Sequence, residues 1–183
     1  MRMDLLLVGA VALFASGLTF FTGFGLGTLL LPAFALFFPL ATAIALTAIV
    51  HLLNGLFKLM LVGRHTNLRV VARFGLPAIA GALVGAAVLT WLARVPPLAT
   101  FAVGGRQLAV EPVKLTIAAL MICFALFDLS PRLKRVSVPP HYLPLGGVIT
   151  GFLGGLSGYQ GALRSAFLIR AGLGKEAFIA TGA

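Results

Sequence analysis

Residues 5–38 form a run of 34 with scarcely a polar side chain. One straight crossing of a bilayer takes about 20 residues, so this run is too long for a single helix. Gly23, Gly25 and Gly27, followed by Pro32, supply a break. Glycine tolerates non-helical backbone and proline removes a donor. The pattern predicts a helix to about Phe21, an unwound turn over 22–27, and a short second helix ending before Pro39. Irregular backbone at membrane depth survives only where protein or a cavity satisfies its polar groups. The Gly-x-Gly-x-Gly spacing is no phosphate loop, because no strand precedes it and no Lys-Ser/Thr follows.

Composition agrees with a lipid environment. Hydrophobic residues make up 60% of the chain and charged ones 10%, more apolar surface than 183 residues can bury in water. The net charge is +10, with Asp4, Glu111, Asp128 and Glu176 the only acids. The basic residues gather in short loops, as in membrane proteins, so no nucleic acid partner is expected. Cys123 is the single cysteine, which excludes an intrachain disulfide. No His/Cys/carboxylate cluster has metal-ligand spacing, and neither a metal nor a cofactor is expected. No catalytic constellation appears either, so the chain does not read as an enzyme. The apolar start continues beyond a signal-peptide length and reads as a retained first helix.

Further spans follow at Leu40–Val62, 74–93 and 113–129. In the first of these, Thr47, His51, Asn54 and Lys58 share one helical face. A polar stripe inside a membrane must face protein or a watery cavity. Thr47, His51 and Asn54 are candidates for a polar path, and His51 for carrying a coupling proton. Lys58 lies near the helix end and is expected to snorkel to the interface. Gly81 and Gly85 form a GxxxG packing surface. The 63–73 and 130–140 loops each hold three Lys/Arg, while 95–112 holds only Arg106. The positive-inside rule makes the first two cytoplasmic and the third external.

A second glycine-rich apolar stretch, 146–174, carries Gln160, Arg164 and Ser165 in its middle. Shifting the chain by 134 positions pairs Gly17 with Gly151, Gly27 with Gly161, Leu29 with Leu163, Ala43 with Ala177 and Thr47 with Thr181. Each window runs apolar helix, glycine-rich break, short helix, turn and new helix. The fold expected is therefore all-α and polytopic, with two related repeats that each open on a Gly-broken helix. Residues 1–135 form the first repeat, a broken helix plus three spans. Residues 136–183 start a second that looks truncated beside the first. Paired broken helices point to the binding site of a secondary transporter.

A half-helix that starts after a glycine turn offers free N–H groups and a positive dipole end to an anion. The candidate substrate-binding residues are Gly23, Gly25, Gly27, Ser157, Gly158, Gln160, Gly161, Arg164 and Ser165. Arg164 would supply a charged donor fork, and Ser157, Gln160 and Ser165 neutral donors. The competing reading of Arg164 is snorkelling, or pairing with Asp128 or a backbone carbonyl.

The Gly23–Gly27 turn with Pro32 and Ala43 to Thr47, and the second-copy 150–158 stretch with Gly161 and Ala180-Thr181, resemble the TauE/SafE sulfite exporter family. The resemblance runs along nearly the whole chain. It implies a multi-pass inner-membrane permease, an exporter of small sulfur-containing anions such as sulfite, sulfonates or sulfoacetate. Members usually have further helices beyond the point matching Ala183, which leaves a homodimer or a missing C-terminal half as partner. Tyr159-Gln160 replaces the usual glycines, and Ala166 lies where a proline often follows. The alternatives are an amino-acid exporter, an anion channel, or an inactive or partner-dependent fragment of such a carrier.

Overall fold

The computed structural model describes residues 26–104, 106–130, 137–158 and 161–183, together with Gly9, Ala10, Leu13 and Gly17. The first helix and the Gly23–Gly25 part of the first break lie outside the described residues. Helix α1 is Leu26–Ala35, with Pro32 inside it. Gly27 is thus helical, which corrects the expectation that the unwound turn extends through it. With its apolar neighbours, nothing at Gly27 forces the chain out of the helix. Helix α2 is Leu40–Val62, the span read from the sequence.

Helix α3 is Leu68–Leu92, opened by Asn67, whose side chain accepts from the Val70 N–H. Its stretch Val71–Gly75 is π-helical. Helix α4 is Pro112–Leu129, helix α5 Leu143–Ser157, helix α6 Gly161–Leu168 and helix α7 Lys175–Thr181. Between α3 and α4 lies an antiparallel hairpin, β1 (Ala99–Val103) and β2 (Arg106–Val110). The sequence alone reads this segment as a loop in an all-α fold, and the hairpin departs from that expectation; the missed signal is Gly104-Gly105, the composition of a two-residue hairpin turn. Gly104 has φ +57° there, a conformation side chains avoid.

Helices α2 and α3 are long and apolar enough to cross a bilayer. Only 22% and 11% of their most apolar windows are buried in protein, so their remaining surface meets lipid. Met60 and Leu83, at 84% and 69% exposure, mark that surface. Between apolar helices in lipid, close packing rather than water exclusion drives association. One core joins Leu30, Leu31 and Phe34 of α1 to Ala43 and Ile44 of α2 and Val113 and Ile117 of α4. Another joins Val70 and Phe74 of α3 to Leu143 of α5 and Leu168 of α6.

The tightest seam is between α3 and α5. A Cβ added at Gly147, Gly151 or Gly155 would overlap the carbonyl of Phe74, Ala78 or Ala82 respectively. One at Gly81 or Gly85 would overlap the carbonyl of Val148 or Phe152. The backbones therefore touch, with Cα–H groups facing carbonyls. Residue numbers rise together along the seam, so the two helices are parallel. Their starts, preceded by the 63–67 and 137–142 segments, lie at one end of the molecule, as the loop charges require.

This seam corrects one expectation. The glycines from Gly146 to Gly155 do not break the second apolar stretch; they sit inside continuous α5. The break comes only at Gly158, in the left-handed conformation with φ +71°. Its N–H closes the helix on the Gly154 carbonyl at 2.7 Å.

Helix α6 then returns towards the end where α5 began. The Val138 N–H donates to the Ala166 carbonyl at 3.1 Å, and Gly146 lies directly under the Phe167 ring. Helices α5 and α6 thus make a pair that goes in and comes back. Helix α7 turns inward again along α2: Glu176 pairs with His65 at 3.0 Å, and the Ala183 carbonyl reaches Gly55. Shifted by 134 residues, α6 falls within α1, and Lys175 falls on Ala41 at the start of α2.

Candidate functional site

The turn after α5 meets α2 at its polar face. A Cβ at Gly158 would lie 3.7 Å from Thr47 Cγ2 and 3.8 Å from Ile44 Cγ2. Thr47 is fully buried at this contact. One helical turn further along α2 is His51, half-buried, with an Nε2 atom that is buried and has no hydrogen-bond partner. Such an orphaned nitrogen costs about 1–3 kcal/mol relative to a paired one, so something should be gained by keeping it. Asn54 is half-buried beside Gly55, where the end of the chain docks.

Arg164 enters from the other side. It is half-buried on α6, with its Nε near Gly182, where a Cβ would stand 3.8 Å away. The adjoining Ala183 carbonyl would be 2.8 Å from a Cβ on Gly55. Through this contact α6, α7 and α2 converge. Among the described residues no carboxylate pairs with Arg164: Glu111 is engaged by Lys114 and Glu176 by His65. The side chain of Asp128 lies outside the described residues, as do Tyr159 and Gln160.

The hydroxyls behave differently from the sequence expectation. Ser157 donates to the Leu153 carbonyl at 2.7 Å, Ser165 to Gly161 at 3.0 Å and Thr47 to Ala43 at 2.8 Å. Each proton is committed to the carbonyl one turn back, the usual resort of a helix hydroxyl without water. These three are therefore not donors towards an anion in this conformation. Gly161 opens α6, and a Cβ there would find no described atom within 4 Å, so there is room beside the first helical turn.

Of the sequence-predicted set, the structure sets Gly158 against Thr47, places His51 one turn further along α2, and carries Gly161, Arg164 and Ser165 on α6. Gly27 lies in α1, whose described neighbours are α2 and α4. Sequence reading missed the docking of Gly182-Ala183 against Arg164 and Gly55. It also missed the latch at the loop end, where the Asn67 N–H donates to Thr181 Oγ1 at 3.0 Å. Nothing local signals either.

Two helices long and apolar enough to cross a bilayer, set beside the α5–α6 pair that goes in and comes back, fit a multi-pass integral membrane protein. The chain belongs to the sulfite exporter TauE/SafE family, whose model matches residues 5–183. That family comprises transporters, not enzymes. No curated protein and no solved structure matches the chain.

Proposed function

We propose that this protein is a secondary carrier that exports small sulfur-containing anions, such as sulfite or organosulfonates, through a seat between the Gly158 turn and the polar face of α2. The observation that carries the reading is Arg164, a guanidinium whose Nε lies by Gly182 where α6 and α7 come together, with no described carboxylate paired with it. A charge at membrane depth is costly, and a translocated anion offsets that cost when bound. The room beside Gly161 supports the same reading, because the free N–H groups of a helix start favour an anion.

The same charge pattern disfavours an amino-acid carrier, whose substrate ammonium needs an acceptor carboxylate. Proteoliposomes loaded separately with sulfite, ethanesulfonate and alanine are expected to release the two anions and retain alanine. Release of alanine alone would overturn the anion reading. His51 is the proposed coupling group, since an imidazole can take up and release a proton and its buried Nε2 is unpartnered. The His51→Gln protein should export with a flattened pH dependence. A profile superimposable on the parent's would remove His51 from the coupling.

A further inference from the structure

We infer that one flank of the α3–α5 seam binds an anionic phospholipid, with an acyl chain in the groove between the two helices and the headgroup phosphate on Arg69 and Arg73. The groove holds about 430 Å³ and lies between Ala80, Gly81 and Val84 of α3 and Val148, Ile149 and Phe152 of α5. No polar side chain lines it. Its floor is the close approach of Gly81 to the Val148 carbonyl, where glycine leaves no side chain to fill the space. Val84 and Ile149 on its two walls are exposed.

Helix periodicity carries this flank to the basic end of α3. Pro77 and Arg73 precede Ala80 at helical spacing, so all three share one side of the helix. Arg69 is a turn before Arg73. The π-helical stretch Val71–Gly75 takes more residues per turn than an α-helix, which sets the two arginines nearly in line. Both are exposed, and among the described residues no carboxylate pairs with either. The α5 wall starts at the same level: Leu143 packs with Val70 and Phe74, which puts the exposed Tyr142 beside this end. A tyrosine so placed sits at headgroup depth. The rise from Arg73 to Ala80 is about 10 Å at ~1.5 Å per residue, as a headgroup stands above its chain. The loop charges set this end in the cytoplasm, where the leaflet carries the anionic lipids that basic residues beside a span attract. Charge complementarity therefore chooses the occupant. A second copy in the same membrane would bring its own Arg69 and Arg73 to this depth, like against like. A phosphate answers the arginines, and its hydrocarbon chain answers the groove.

The test titrates the purified full chain in detergent with dioleoylphosphatidylglycerol, dioleoylphosphatidylcholine or glycerol phosphate, and reads binding by native mass spectrometry. Phosphatidylglycerol should bind about tenfold more tightly than phosphatidylcholine, and glycerol phosphate far more weakly than either. Replacing both arginines (Arg69→Gln with Arg73→Gln) should erase the preference. Arg64→Gln, in the same basic segment but outside α3, should keep it. Ala80→Phe fills the groove from an exposed position and should weaken both phospholipids while the protein melts like its parent. Equal binding of the two lipids by the parent overturns the site, as does a preference that survives loss of both arginines or vanishes equally in Arg64→Gln. Glycerol phosphate bound as tightly as the lipid leaves the groove without a part and overturns it too. Lipid binding unchanged in Ala80→Phe assigns the groove to another apolar occupant, a second copy or the 5–21 segment of the same chain.

Discussion

Replacing Arg164 by alanine should cut anion export by about a hundredfold or more while leaving a protein that inserts, purifies and melts at least as well as its parent. The two halves of that expectation come from the same physics. A guanidinium within a membrane helix costs about 2.5–3.5 kcal/mol on insertion scales, so its removal should not destabilise the fold. Among the described residues no carboxylate is left orphaned by the change, because none pairs with Arg164. The bound anion, by contrast, loses its strongest partner, a charge-assisted donor fork. Arg164→Lys should fall between, retaining charge without the planar fork. Export from proteoliposomes and thermal unfolding in detergent measure the two halves separately. Full export by the alanine protein would make Arg164 structural and leave the α6 start to hold the anion.

The second large effect is on folding. Gly151→Ala places a methyl group against the carbonyl, the carbonyl carbon and the Cα of Ala78, all backbone atoms that cannot rotate away. Helices α3 and α5 must separate along their length to accept it. Overpacking of this kind costs about 1–3 kcal/mol even in cores that can adjust, and here the contact is between rigid backbones. We expect Gly151→Ala to yield little monodisperse protein. Gly174→Ala, where a Cβ meets no described atom within 4 Å, should behave like the parent. Equal yields of the two proteins would show that the seam is looser than its contacts indicate.

These two residues also show what could be read from the chain alone. Arg164 stood out because a charge in an apolar run demands a reason. Helix α2 was legible at both ends, since length and hydropathy are enough to define a span. The role of the glycines was not legible in the same way. Glycine both breaks helices and lets them touch, and only the partner backbone decides which. The four-residue spacing of Gly147, Gly151 and Gly155 matches that of Gly81 and Gly85, and this was the available signal for packing. Among the described residues the break falls at Gly158, whose positive φ is invisible in composition. The pairing of His65 with Glu176 joins distant segments with no local pattern, and only the fold reveals it. The hydroxyls of Thr47, Ser157 and Ser165 looked like site donors from their positions. Their protons turn back onto carbonyls of their own helices, which position along the chain does not reveal.

The length of α5 has an electrical consequence. Its 15 residues reach about 22 Å at ~1.5 Å per residue, against a hydrocarbon thickness of ~30 Å. For a helix standing along the membrane normal, an ion resting at the Gly158 turn has about three quarters of the insulating layer on its loop side. The membrane potential does work of about 2.3 kcal/mol per charge per 100 mV over the whole thickness. Along a dry path, most of that work falls between the loop side and the turn, and about a quarter between the turn and the opposite surface. Voltage then governs how often the resting place is filled from the loop side far more than how quickly it empties on the other.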